Sequence, residues 1–268
     1  MTNKKILNLV SRKKRNEMLN YSNTTAAGAS TSIQINPLYV NSVGGQVLWC
    51  ATAQDLSDQT GNPGTVSEVA ARTATNTFMR GLSEHVRIQT SSGVPWFWRR
   101  ICFTAKGDNF NTVASGDSPT NGIQPYLDTS TGIQRYSLNQ LINGMPNTIA
   151  NQQGIIFKGA RGIDWNDPII APVDTARVSL KYDKTITIKS GNSNGTVMEK
   201  KMWHPMNKSL IYDDDEKGDS QTTSYFSTDS RRGMGDYYVY DIIQPGSLAA
   251  TSDVILFAIN SSLYWHER

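Results

Sequence analysis

Histidine and cysteine are scarce in this chain of 268 residues, with three of the first and two of the second. His85, His204 and His266 show no metal-ligand spacing among themselves. Cys50 and Cys102 stand far apart and read as reduced core residues, of the kind kept in a cytosolic or nuclear protein, with a buried disulfide the lesser alternative. Long hydrophobic runs are also missing. The longest purely apolar stretch is Val254–Ile259, whereas a membrane span needs about 20 apolar residues. Ile6–Val10 is too short for the apolar part of a secretory signal and is followed by Arg12–Arg15. The Asn-x-Ser/Thr matches at Asn20, Asn23, Asn194, Asn207 and Asn260 therefore read as chance in an Asn/Ser/Thr-rich chain. Catalytic signatures are absent too: no GxSxG elbow, no Walker loop and no GxGxxG after a strand. His204, between Trp203 and Pro205, has no identifiable partner as a general base and is expected to pack at a strand end. No catalytic residue, metal ligand or cofactor is nominated, and the chain is expected not to be an enzyme.

Charged residues make up 18% of the chain and hydrophobic ones 38%, both below globular averages. Polar Ser, Thr, Asn and Gly take their place, a balance that suits a sheet protein with long loops. The charge that is present lies unevenly. In the first 20 residues Lys4, Lys5, Arg12, Lys13, Lys14 and Arg15 face one acid, Glu17, a net of +5. The whole chain is only +3, which leaves the rest at −2. A short basic arm on a slightly acidic body is the usual footprint of a polyanion, most often nucleic acid; the bland alternative is a solvated tail. The apolar residues Ile6, Leu7 and Val10 have partial helical spacing, too small a face to anchor on a membrane. Arg12, Lys13, Lys14 and Arg15 also match a nuclear localisation pattern, a weak signal alone. The expected division is a basic arm over residues 1–22 and one domain over 23–268.

Beyond residue 30 the strong segments are strand-like. Gln46–Ala53, Trp96–Ala105, Val197–Trp203, Tyr237–Gln244 and Val254–Trp265 are rich in β-formers. In Glu84–Thr90, Val86 and Ile88 share one face while His85, Arg87 and Gln89 share the other. Ala176–Lys189 holds two alternating stretches with Val178, Leu180, Ile186 and Ile188 inward, and Gly154–Lys158 reads as a short strand. The one helix predicted in the body is Ser137–Asn143, ended by Gly144. About eight strands joined by long Gly- and Pro-containing connections predict an all-β fold, a single eight-stranded jelly roll in the β-sandwich class.

Two clusters remain. In Trp96–Ala105, arginine and aromatic residues interleave as they do in strands that stack unpaired bases, so Arg99 and Arg100 are candidates for polyanion or subunit contacts. The competing reading makes this strand plain sandwich core. Asp213-Asp214-Asp215-Glu216 carries enough carboxylate for a divalent cation but lacks the alternate-residue spacing of a calcium loop, and is expected to form a solvated loop or a subunit contact.

The stretch RGLSEHVRIQTSSGVPWFWRRICFTAKG (80–107) resembles the capsid proteins of genomoviruses, small circular single-stranded DNA viruses related to geminiviruses. The segments ILNLVSRKKRNEML (6–19), MWHPMNKSLIYDDDEKG (202–218) and SSLYWHER (261–268) resemble further parts of the same family, so the likeness spans most of the chain. The resemblance implies a jelly-roll coat protein. It would assemble with about 60 copies of itself, the simplest icosahedral closure. It would package single-stranded DNA through its basic arm, form in the host nucleus and reside in the virion, with no membrane partner. The family's N-terminus is longer and richer in Arg, which by that comparison makes Met1 an internal position. On this reading Trp165, Trp203, Tyr237, Tyr238 and Trp265 are candidate interface anchors, with core packing the equal alternative. Two other readings compete: a non-viral β-sandwich binding module, such as a lectin with a basic targeting tail, and a jelly-roll hydrolase, for which no paired-carboxylate site is visible.

Overall fold

The computed structural model describes residues 9–57 and 60–267. The first strands are β1 (Arg12–Met18), β2 (Asn20–Thr24), β3 (Ser30–Ile35), β4 (Leu38–Val40) and β5 (Gly45–Cys50). Next come β6 (Asn76–Thr90), β7 (Trp96–Ala105), β8 (Leu127–Thr129), β9 (Gly132–Ser137) and, after one helix, α1 (Pro146–Ile156), β10 (Ser179–Ile188). The last are β11 (Val197–Ile211), β12 (Asp215–Lys217), β13 (Ser220–Thr222), β14 (Asp236–Pro245) and β15 (Ile255–Glu267).

Two antiparallel sheets dominate. The first runs β1-β15-β6-β11, with β4 also on β15; the second runs β10-β7-β14-β5. A third, smaller sheet, β3-β2-β9-β8, holds the one parallel pair among named strands, β2 with β9. The long pairings are nested in sequence: β1 with β15, β5 with β14, β6 with β11, β7 with β10. The fold is therefore an all-β sandwich. Leu82, Val86, Ile88 and Phe257 of the first sheet meet Trp49, Trp98 and Val239 of the second, with the Trp98 and Phe257 rings edge to face at 5.3 Å. Each such large side chain stabilises the fold by about 1.5–3 kcal/mol through removal from water.

The two sheets differ in how many faces they bury. The second is covered again on its far side by α1 and the 157–178 segment, whose Ile156, Phe157, Trp165 and Ile169 pack on Leu48, Ile101, Phe103 and Tyr240. Its strands are consequently buried almost without alternation, β14 for eight consecutive residues. The first sheet keeps one face in water, and β6 alternates buried and exposed along its C-terminal half as its sequence predicts. Cys50 pairs in register with Tyr238 and Cys102 with its neighbour Val239, so the two thiols lie on opposite faces of the second sheet; both are buried and neither forms a disulfide. Burial pushes the Cys102 thiol up to about 12.

Several expectations are corrected. The body's α-helix is Pro146–Ile156, not Ser137–Asn143; Gly154–Ile156, read as the start of a strand, is its last turn. Its buried side is largely polar (Thr148, Gln152, Gln153), which hides the helical period. Its N-terminus is capped from outside by Asp117, whose carboxylate accepts the Asn147 and Thr148 amides at 3.0 and 2.7 Å. Ser137 ends β9, and only Gln140–Ile142 forms a 3-10 turn, started by the Asn139 side chain and followed by Gly144 at φ +72°. The expected arm does not extend to residue 22, because Arg12–Met18 and Asn20–Thr24 are both strands. Here the edge of β15 supplies a full row of backbone partners, from Glu267 opposite Arg12 to Ser261 opposite Met18.

Candidate nucleic-acid interface

Lys4 and Lys5 lie outside the described residues. Arg12, Lys13, Lys14 and Arg15 do not act as one cluster, because β1 alternates. Lys14, Asn16 and Met18 turn inward, while Lys13, Arg15 and Glu17 are exposed. Lys14 is only 3% exposed, and its ammonium donates to the carbonyls of Glu68 (2.6 Å) and Ala71 (3.0 Å), with Glu267 at 3.9 Å. Arg99 and Arg100, expected at a polyanion or subunit contact, are also corrected: in this chain both are interior. Arg99 grips Asp183 with two bonds of 2.9 and 2.7 Å and donates to the carbonyls of Pro168 and Ala171. Burial of β7 on both sides leaves these side chains no route to solvent except through internal partners.

Arg100 belongs to a four-charge brace between the sheets. It holds Asp241 of β14 by two bonds of 2.7 and 2.8 Å and reaches Glu84 of β6. Arg135 of β9 contacts the same acids at 3.1 Å (Glu84) and 3.2 Å (Asp241). Trp98 donates to Asp241 at 2.8 Å and Ser261 to Glu84 at 2.9 Å. Two acids and two guanidinium groups leave no net charge. Burial opposes ionisation of Glu84, but the Arg100 and Arg135 charges overcome it and hold the carboxyl down at about 2. His204 packs beside this brace in mid-β11, not at a strand end; burial, then the Arg100 charge, lower its imidazole to about 4, so it is neutral near pH 7.

The acidic run is likewise divided. The Asp214 side chain is fully buried and bonded twice to Arg72, at 2.6 and 2.9 Å, while Arg72 stacks on Tyr212. Burial works against that carboxylate, and the Arg72 hydrogen bonds and charge keep it below its ordinary range. Asp213, Asp215 and Glu216 are exposed, the last two in the small β12–β13 hairpin. Among the described residues no group of three His, Cys, Asp or Glu side chains is placed to hold a metal ion. Of the five aromatic anchor candidates, Trp165, Tyr237, Tyr238 and Trp265 are core, and Trp203 is 51% exposed.

Trp203 points to a surface the sequence reading did not assemble: the outer face of the first sheet. In register across it, Lys13 pairs with His266 and His266 with Phe78; Arg15 pairs with Tyr264 and Tyr264 with Gly81. Gly81 has φ +154°, and a Cβ there would come within 2.7 Å of the Trp203 ring. Its missing side chain lets the indole lie over the sheet, 5.8 Å from the Tyr264 ring. Phe78 and His266 form a second ring pair at 6.3 Å. The same face carries exposed Lys13, Arg15, Arg80, Arg87 and Lys201, against Glu17, bonded to Arg15, and Glu199, bonded to His85. Partial burial and the neighbouring Arg80 and Lys13 charges lower the His266 imidazole, which marks the density of positive charge. Rings with open faces inside a basic field stack bases and hold phosphates without reading sequence. Strand alternation was the available signal for Arg87 and His85; the bulges at Tyr264/Trp265 and Pro205/Lys208 break the period that links the other residues.

No family model matches the chain, and no curated protein matches it.

Proposed function

We propose that this chain is a viral coat protein that packages circular single-stranded DNA. The observation that carries the reading is the exposed basic and aromatic outer face of the first sheet, whose edge strand β1 follows directly from the basic N-terminal residues. Lys4, Lys5, Arg12, Lys13, Arg15, Arg80, Arg87 and Lys201 would neutralise phosphates, releasing counterions, while Trp203, Tyr264 and Phe78 stack bases. Lys14, Arg99 and Arg100 belong to the fold and leave the DNA-binding set.

The nested pairing supports a jelly roll. With β1, β5, β6, β7, β10, β11, β14 and β15 taken as the eight main strands, first pairs with last, second with seventh, third with sixth, fourth with fifth. That is the pattern of one long antiparallel ribbon rolled up. The connections supply candidate subunit contacts: Ile163 is 85% and Leu248 100% exposed, apolar loop positions that neighbouring copies would cover. Closure with about 60 copies is the simplest icosahedral arrangement. Arg12, Lys13 and Arg15 remain accessible to an import receptor, which fits assembly in a host nucleus before release as a virion.

The test is negative-stain microscopy of the purified protein with a nuclease-protection assay. Uniform isometric shells holding protected single-stranded DNA are expected. A monomer free of nucleic acid across salt and pH would overturn the reading and favour a β-sandwich binding module.

A further inference from the structure

A second basic surface lies at the corner where the open edges of the two sheets, β10 and β11, meet the 228–235 loop. It surrounds a cavity of about 530 Å³, lined by five cationic side chains, Lys106, Arg177, Lys181, Lys208 and Arg231, and one acid, Asp229. Its net charge of +4 contrasts with a chain that totals +3. Lys106 is committed to the carbonyls of Ser230 and Arg232, and Arg177 to Asp174 at 3.3 Å. Among the described residues Lys181, Lys208 and Arg231 have no carboxylate partner. Partial burial, then the nearby Lys208 charge, lower the Lys181 ammonium.

The site is framed by fixed backbone. Gly233, at φ +77°, lets the loop lie on β11, where Met234 donates its amide to Ser209 at 2.9 Å. The base of the loop is closed by Asp236, which accepts the Ser227 amide at 2.9 Å and its hydroxyl at 2.9 Å. No lining residue is aromatic, so the cavity has nothing on which to stack a base. Its volume falls within the range of small-ligand sites, about 300–1,000 Å³, and exceeds what one oxyanion fills.

We propose that this cavity binds a ligand carrying two or more adjacent phosphate groups, recognised through phosphate alone. The site is separate from the aromatic face, and the inference does not rest on the coat-protein reading. Two sources share this chemistry: a free oligophosphate, and a stretch of nucleic-acid backbone.

The experiment is calorimetric titration of the full chain with inorganic tripolyphosphate and with orthophosphate, repeated on Lys181→Gln/Lys208→Gln and on Lys181→Arg/Lys208→Arg. The other lining cations, Lys106, Arg177 and Arg231, are left intact, and unchanged thermal unfolding shows that each variant folds. The expected result is tripolyphosphate binding in preference to orthophosphate, weakened roughly tenfold or more in the Gln variant and retained in the Arg variant. No tripolyphosphate binding to the wild-type chain, or equal binding by the folded Gln variant, would overturn the proposal. A labelled oligothymidylate distinguishes the sources: displacement by tripolyphosphate assigns the cavity to backbone, and undisturbed oligothymidylate binding assigns it to the free oligophosphate.

Discussion

On the inner face of the β1-β15-β6-β11 sheet, Lys14 and Glu84 are buried and each charge meets a partner. One residue along the same strands, on the outer face, Lys13 and His85 stand exposed. Lys13 and Lys14 are chemically the same residue in the same run, and strand parity alone sends one outward and the other into the structure. Charge in a sequence therefore reports a partner only after the face is known. Inside, low dielectric makes an unpartnered charge costly, so Glu84 and Asp241 require Arg100 and Arg135. Outside, water screens the charged side chains, so their contacts cost little to exchange.

The sharpest way to break this comparison is Glu84→Gln. Removing one acid leaves two buried guanidinium groups sharing Asp241, a net buried positive charge, and a loss of about 3–5 kcal/mol in unfolding free energy is expected from denaturant titration. Arg87→Gln on the outer face of the same strand should change stability by less than about 0.5 kcal/mol. Equal effects would erase the distinction between the faces. The brace also sets an acid limit. Because the Glu84 carboxyl is lower in the fold, at about 2, than its ordinary 4.5, its stabilisation is complete above pH 4.5 and is lost as pH falls towards about 2. Glu84→Gln should flatten that part of the stability profile.

Next in size is the paired test within β1. Lys14→Gln should cost about 1–3 kcal/mol, since the carbonyls of Glu68 and Ala71 lose a charged donor, and Lys13→Gln should be near neutral. Trp203→Ala should leave unfolding almost unchanged yet weaken oligothymidylate binding by about 1–3 kcal/mol, the scale of one base–aromatic stack. The smallest effect is on salt dependence. Replacing Arg12, Lys13 and Arg15 by Gln, with Lys14 kept, should lower the slope of log affinity against log salt by about 2 for three lost single-strand phosphate contacts. An unchanged slope would remove β1 from the interface.

Much of the sandwich was legible in residue order. Trp96–Ala105 is β7 to the residue, and the alternation from Glu84 to Thr90 placed Val86 and Ile88 inside and Arg87 outside. The same alternation puts Glu84 on the apolar face, a signal that a partner was needed; its charged partners, Arg100 and Arg135, come from strands β7 and β9, which sequence order does not bring together. The strands β2 and β9 were invisible because most of their buried residues are polar, Asn20, Ser22, Asn23 and Thr24 in one and Gln134, Arg135 and Ser137 in the other, satisfied by bonds such as Asn139 N–H to Asn23 at 2.8 Å and Ser137 to Asn20. β1 was hidden for a related reason: RKKRNEM reads as solvated charge until β15 is set beside it. The aromatic platform was half legible, with Trp203 noticed alone, because its contact with Tyr264 depends on a glycine from a third strand.

The central claim is that the outer face of the first sheet is the side that meets single-stranded DNA. Photocrosslinking of the intact protein to a bromodeoxyuridine-substituted single strand, with the adducts mapped by mass spectrometry, tests it most directly. The account predicts adducts at Trp203, Tyr264 and Phe78. Adducts confined to the opposite side, on α1 and the 157–178 segment, would contradict it.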